Sequence, residues 1–143
     1  MNKKKGGVLK RAIVTPDKHA PIHDKAAIKV VCKAIELVKP DIYVDLGDVG
    51  EFGSVSHWQW KRKKKPPLEY IMPRVDEDIK GVNELLDIID KSLDKVNCKE
   101  RHICAGNHDE WLDRFVDEHP YLKDYRFEHA CKFKERGYKY HKP

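Results

Sequence analysis

An amide, an imidazole and a carboxylate stand side by side at Asn107, His108 and Asp109, directly after Gly106. Asparagine offers a carbonyl oxygen to a metal ion, and histidine offers a proton or a ring nitrogen. An apolar run precedes the motif and a helical pattern follows it, so it occupies a strand-to-helix turn, where open parallel sheets bind ligands. Taken alone, the motif is equally typical of a polar turn, because Gly and Asn favour turns.

Two upstream motifs occupy equivalent positions. Asp17-x-His19 follows the first apolar strand pattern, and Gly47-Asp48 follows the second. Parallel strands end on the same edge of a sheet, so we expect these side chains to meet those of Asn107 and His108 in one crevice. Carboxylate, amide and imidazole groups together suit hard and borderline divalent cations. The sequence therefore predicts a metal site at this edge.

The elements that position these motifs follow from hydrophobic periodicity. Strands are predicted at residues 8–14, 41–46 and 101–105, helices at 25–38, 75–96, 110–118 and 127–136, and a further strand opening at 138. The order is βαβαβ, which predicts one α/β domain with a parallel sheet, right-handed crossovers and flanking helices. The apolar stripe of residues 75–96 fits a coiled-coil seam, but we favour a single amphipathic helix packed on the sheet.

The ordered set Asp17-x-His19, Gly47-Asp48 and Gly106-Asn107-His108-Asp109 resembles the calcineurin-like metallophosphoesterase family, and most of all the small phosphoesterases of bacteriophage genomes. The resemblance spans about residues 8–109. It implies the N-terminal portion of a metallophosphoesterase-type α/β sandwich with two divalent metal ions. Mn²⁺ is the expected ion, with iron, zinc and nickel as alternatives.

The resemblance also implies a role for each matching residue. Asp17 and His19 bind the first ion, Asp48 bridges both ions, and Asn107 binds the second. His108 acts on the phosphate as a general acid or charge stabiliser, so Asp48 and His108 are the catalytic candidates. Two adjacent cations need a shared anion, and together they make hydroxide available near neutral pH.

The chain departs from the family pattern mildly at one place and seriously at another. The second family motif usually has a carboxylate three residues after the bridging aspartate; Glu51 stands at that position, a mild change. The family also takes ligands from a later histidine and a Gly-His-x-His motif, whereas here only His119, His129 and His141 follow Asp109, none of them after a glycine. We therefore expect residues 1–143 to be a single, C-terminally incomplete domain, whose site a missing half or a partner chain would complete.

A long loop is predicted at residues 49–73, and it combines aromatic rings with five consecutive cations. Such interleaving suits single-stranded nucleic acid, because rings stack on bases and cations follow phosphates. A solvated, mobile loop is an equal alternative. The candidate nucleic-acid-binding residues are Trp58, Trp60, Lys61, Arg62, Lys63, Lys64 and Lys65.

Composition and charge limit the partners and the cellular compartment that the sequence favours. The formal net charge is +5, which favours an anionic partner without naming one. No apolar run is long enough to cross a membrane, and residues 1–7 read as a flexible basic tail rather than a signal peptide. The four cysteines form no Cys-x-x-Cys pair and are expected to be reduced thiols. We expect a cytoplasmic protein, in the host cytoplasm if it is phage-encoded.

These observations predict a metal-dependent phosphoesterase that hydrolyses phosphate mono- or diesters, above all the phosphodiesters of nucleic acids or nucleotides. The alternative is a truncated phosphoesterase scaffold with little or no catalysis, which acts as a nucleic-acid-binding or interaction module. Fold alone does not decide between them.

Overall fold

The chain folds into a four-stranded parallel sheet with its helices packed against it, in a computed structural model that describes residues 7–143. Six of the seven residues of the predicted basic tail lie outside this range. The strands are β1 (Ala12–Thr15), β2 (Ile42–Asp45), β3 (Glu100–Cys104) and β4 (Tyr138–His141). The α/β class and the parallel sheet predicted from the sequence are confirmed.

The helices are α1 (Lys25–Val38), α2 (His57–Trp60), α3 (Leu68–Lys95), α4 (Asn107–Glu118), α5 (Phe127–Ala130) and α6 (Phe133–Arg136). Short 3₁₀ turns occur at Gly53–Val55 and Pro120–Tyr125. None of the helices within residues 7–143 is long and apolar enough to cross a membrane.

The strands follow one another in the order β1-β2-β3-β4, so the sheet winds in one direction only. Right-handed crossovers in one direction place every connecting helix on the same face of a sheet. The core on that face includes Tyr43, Ile103 and Tyr138, and α1 packs there against α3. On the opposite face Val14 keeps 53% of its surface exposed, and Leu46, which follows β2, keeps 51%.

Helix α1 begins and ends where the sequence predicts. The Asp24 side chain accepts hydrogen bonds from the backbone N–H groups of Ala26 (2.7 Å) and Ala27 (3.2 Å), which identifies it as the N-cap. Lys39, in the left-handed conformation, ends the helix before Pro40.

The first strand is shorter than predicted. Residues 8–11 are exposed and precede β1, which begins only at Ala12. The reason lies in the neighbouring strand: Ala12 pairs with Ile42, the first residue of β2, and Pro40 lies just upstream. A strand can extend only as far as its partner offers backbone groups to bind.

The predicted loop at residues 49–73 is also wrong in part. It contains a 3₁₀ turn, the short helix α2 and the first six residues of α3, which begins at Leu68 after the extended Pro67. Pro73 lies in the second turn of α3 on the exposed side, where water can bind the carbonyl group that proline leaves free. The predicted end of the loop at residue 73 therefore lies inside α3.

The single helix predicted at residues 127–136 is two short helices separated by Lys132, which is left-handed (φ 56°). In one continuous helix, Phe127 and Phe133 would point about 120° apart. The break lets both rings enter the core, where their centroids lie 4.8 Å apart.

Candidate metal centre

The loops that follow β1 and β2 lie against each other and are tied together by backbone hydrogen bonds. The N–H of Asp17 donates to the carbonyl of Gly47 (3.1 Å), and the N–H of His19 donates to the carbonyl of Asp48 (2.9 Å). These bonds continue the β1–β2 pairing past the strand ends. The first two sequence motifs are therefore adjacent in space, as expected for parallel strands.

Three candidate ligands in these loops have positive φ angles, which are uncommon for residues other than glycine. The values are 49° at Asp17, 51° at His19 and 52° at Asp48. Each such conformation costs about 1–3 kcal/mol and persists only where the surrounding structure enforces it. Positive φ angles also occur at Lys39, Phe52, Asn97 and Lys132, but Asp17, His19 and Asp48 are the three that lie together.

The side chains of Asp17, His19 and Asp48 form a cluster whose ligand atoms all lie within 4.8 Å of one another. Asp17 is exposed, whereas His19 and Asp48 are half-buried. Two carboxylates and one imidazole fit a borderline divalent cation such as Mn²⁺, iron or Zn²⁺. The donor set is therefore chemically suited to the ion that the motifs predict.

Glu51 sits beside this cluster and orients two histidines. Its carboxylate oxygen lies 3.0 Å from Nδ1 of His19, and its backbone carbonyl lies 2.6 Å from Nδ1 of His108. Because a carbonyl can only accept, Nδ1 of His108 carries the proton in this contact. Metal-binding histidines commonly donate their other ring N–H to a carboxylate, so the Glu51 contact would leave Nε2 of His19 for an ion.

The same three residues form a second group with ligand atoms within 4.8 Å, namely His19, Glu51 and His108. The His19 and His108 rings meet edge to face with centroids 4.6 Å apart. Both groups contain His19, so the described residues concentrate their imidazole and carboxylate donors around one side chain.

The third motif reaches the cluster through the start of α4. Gly106 is the N-cap, Asn107 is the first helical residue and is exposed, and the backbone N–H of His108 donates to Oδ1 of Asp48 (2.9 Å). A free N–H at a helix N-terminus favours a negative partner. The Asp48 side chain is thus held both by its own loop after β2 and by the first turn of α4, which follows β3.

Two glycines allow this close approach. A Cβ on Gly47 would lie 2.3 Å from the backbone nitrogen of Gly106, and a Cβ on Gly106 would lie 2.2 Å from the backbone nitrogen of Asp48. Gly47 also has a positive φ of 104°. The turns after β2 and β3 therefore touch backbone to backbone, which leaves no room for a side chain on either glycine.

Asp109 holds the two turns together, a role that the sequence reasoning missed. Its buried carboxylate accepts hydrogen bonds from the backbone N–H groups of Gly106 (3.0 Å), Val49 (3.2 Å) and Gly50 (3.2 Å). Burial raises the pKa of Asp109 to about 7, although these three hydrogen bonds act in the opposite direction. An acid three residues after the helix N-cap was the available signal.

Lys18 and Asp45 form a second support that the sequence reasoning missed. Nζ of Lys18 lies 2.6 Å from Oδ2 of Asp45 and donates to Oγ1 of Thr15 (2.8 Å), and both charged side chains are almost fully buried. Burial raises the pKa of Asp45, and the Lys18 ammonium group opposes that shift. Lys18 therefore points into the core, although its sequence neighbours Asp17 and His19 belong to the cluster.

The aromatic and basic candidates divide into two groups. Trp58 and the run Lys61, Arg62, Lys63, Lys64 and Lys65 are exposed. Trp60 is half-buried, and its Nε1 donates to the carbonyl of Ser54 (3.0 Å). Lys65 reaches α4, where it pairs with Glu118 (3.3 Å), whereas the Lys61 ammonium group lies over the Trp58 ring. Of the predicted nucleic-acid-binding residues, Trp60 and Lys65 therefore lie beside α4, the helix that carries His108.

His141 lies on β4, beside β3, and its Nε2 is 2.8 Å from Nδ1 of His102. Within residues 7–143 it belongs to neither of the two donor groups around His19.

Comparisons with known proteins returned no matching family model, no matching curated protein and no matching solved structure.

Proposed function

We propose that this protein is a metal-dependent phosphoesterase of the calcineurin-like type, acting on phosphate mono- or diesters, with phosphodiesters of nucleic acids or nucleotides as the favoured substrates. The observation that carries the proposal is the cluster of Asp17, His19 and Asp48, with ligand atoms within 4.8 Å. The positive φ angles at all three residues support it.

Asp17, His19 and Asp48 would hold one ion, and Asp48 with Asn107 would hold a second. Bound divalent ions supply activated water and neutralise the charge that develops on a reacting phosphate. Mn²⁺ is the ion we propose, because most of the donors are carboxylate and carbonyl oxygens, which suit Mn²⁺ better than Zn²⁺.

His108 would act on the leaving group. Its Nδ1 proton is held by the Glu51 carbonyl, so a protonated ring has its second proton on Nε2. As the P–O bond breaks, that proton can pass to the leaving oxygen, or the imidazolium can stabilise the charge that appears there. Glu51 would keep both histidines in the required orientation.

A second candidate function is nucleic-acid binding on a scaffold with weak catalysis. It is favoured by the exposed run of five cations beside Trp58 and Trp60. It is also favoured by the small number of ligands for the second ion. That ion would share Asp48 with the first ion, and the only other ligand from the three motifs is the neutral amide of Asn107.

Calorimetric titration with Mn²⁺ tests the metal site. We expect Asp48→Asn to weaken binding by more than about tenfold, because even partners that contact a ligand indirectly are worth that much. The matched control is Asp124→Asn, an exposed aspartate in the turn after α4, which should bind as the parent does. Equal affinities for the parent and Asp48→Asn would refute the proposed role of Asp48.

Hydrolysis distinguishes the two functions. The Mn²⁺-loaded protein should cleave bis(p-nitrophenyl) phosphate only slowly, because the second ion would have few ligands. His108→Ala should lower the kcat that remains while leaving Mn²⁺ affinity within about twofold, if His108 acts on the substrate and not as a ligand. Tight binding of single-stranded DNA with no turnover would favour the binding module instead.

A further inference from the structure

A cavity of about 420 Å³ opens between α2 and α4, next to the candidate metal centre. Its volume lies in the range of small-molecule sites. Its lining combines aromatic rings with charged side chains. The rings are Trp60, Trp111 and Phe115, and the charged side chains are Lys65, Arg114 and Glu118.

The cavity adjoins the candidate active site through one residue. The Trp111 ring packs against the His108 ring with centroids 4.0 Å apart, and the N–H of His108 donates to Asp48. A ligand held on Trp111 would therefore lie within one ring of His108, close enough for a group linked to it to reach past the edge of the indole.

The rim is polar and already carries cations. Lys65 lies 5.3 Å from the centroid of the Phe115 ring and pairs with Glu118, and Arg114 pairs with Glu110 at 2.9 Å. These pairs are largely exposed, and such pairs stabilise a protein by only about 0–1 kcal/mol. A ligand that offers both donors and acceptors can therefore replace them at little cost.

We infer that this cavity is a subsite for the base of a nucleotide whose phosphate lies at Asp48 and His108. Aromatic side chains stack on nucleobases, and cations can lie over the same rings. A plain phenyl or alkyl ester group would fill the aromatic part but would make no polar contact with Lys65, Arg114 or Glu118. The location of the phosphate rests on the function proposed above, whereas the base-binding cavity does not.

Adenosine is a suitable probe, because it carries the base without the phosphate and needs no metal. The chain has three tryptophans, which are Trp58, Trp60 and Trp111, so a ¹⁵N-labelled sample shows three indole N–H signals that single Trp→Phe variants assign. In metal-free buffer, adenosine should shift the signals of Trp60 and Trp111 saturably and that of Trp58 much less. Ribose at the same concentrations should shift none.

Two matched pairs of variants test the assignment. Trp60→Ala should weaken adenosine binding by about fivefold or more, the effect of losing one stacking ring, whereas Trp58→Ala, on the same helix but outside the cavity, should not. Arg114→Met should weaken it by about two- to fivefold, whereas Lys80→Met, which removes an exposed cation on α3 outside the cavity, should leave it unchanged. Arg114 is mostly exposed, so this variant keeps the test valid if Trp60→Ala does not fold.

Unsaturable shifts, equal shifts of all three indole signals, or equal losses in Trp58→Ala and Trp60→Ala would overturn the inference. Its failure is separable from that of the proposed function. Saturable adenosine binding without any phosphodiester hydrolysis would support the subsite and refute the enzyme, and hydrolysis without adenosine binding would do the reverse.

Discussion

Replacing Lys18 by methionine should destabilise the protein by about 3–5 kcal/mol. Lys18 and Asp45 are buried with side-chain exposures of 3% and 0%, and their charged atoms lie 2.6 Å apart. Methionine keeps most of the length of the lysine side chain but removes the charge. Asp45 would then be either an unpaired buried anion or a protonated acid, and both cost free energy relative to the ion pair.

Urea unfolding followed by far-ultraviolet circular dichroism, in buffer with EDTA, measures this loss without any contribution from bound metal. The double variant Lys18→Met/Asp45→Asn should recover part of it, since no unpaired charge remains. Lys80→Met removes a cation from an exposed ion pair with Glu84 and should change stability by less than about 0.5 kcal/mol.

A loss below about 1 kcal/mol in Lys18→Met would refute the reasoning, because it would mean that water reaches Asp45 or that the pair contributes no net stability. A double variant that is less stable than Lys18→Met would refute it too, since the cost would then come from packing and not from charge.

Three further predictions concern other parts of the molecule. Gly106→Ala should lower the free energy of unfolding by about 1–3 kcal/mol and weaken Mn²⁺ binding, because its Cβ would lie 2.2 Å from the Asp48 nitrogen. Gly53→Ala is the control, since the nearest atom there is 3.6 Å away, and it should be nearly neutral in urea unfolding and in calorimetry. Burial, aided by the charges of Glu51 and Glu77, raises the pKa of Asp78 from 3.8 to about 6. The folded protein therefore binds the Asp78 proton more tightly than the unfolded chain does. This stabilises the fold fully below pH 3.8, and the stabilisation is lost as the pH rises through 6. Asp78→Asn should therefore melt at a higher temperature than the parent at pH 8 but not at pH 4, and the opposite order would contradict the burial argument. A variant with serine in place of Lys61, Arg62, Lys63, Lys64 and Lys65 should bind single-stranded DNA with a weaker salt dependence. The slope of log affinity against log salt concentration should become shallower by about 0.7 for each lost phosphate contact, and an unchanged slope would identify the run as a solvated surface.

The placement of Asp17, His19 and Asp48 could be predicted because it depends only on strand order. Once two strands are parallel and joined by a helix, the residues after each strand reach the same edge. Local signals were equally reliable for α1, where Asp24 and Pro40 mark both ends. The first feature needs only the strand–helix–strand order, and the second needs only local signals.

What the sequence did not predict depends on contacts between distant residues. Alternation along β2 places Asp45 on the same face as the buried Tyr43, but nothing in the pattern identifies Lys18 as its partner, because that depends on the path of the loop. The cavity beside His108 likewise joins α2 to α4, which are about 50 residues apart. The break at Lys132 follows from the need to bury two rings and not from any local stop signal.

The contact between Gly47 and Gly106 has a consequence for how this chain can evolve. Most clashes between two positions can be relieved by a second substitution at the partner site, which lets the two positions covary. Here a Cβ at either glycine meets backbone atoms of the opposite turn, and no change of side chain can remove those. Neither position can compensate for the other, so a descendant that lost one glycine would have to separate the turns after β2 and β3. The presence of both glycines in a related sequence would therefore indicate an intact pair of turns, and the loss of either would indicate that the turns after β2 and β3 had moved apart.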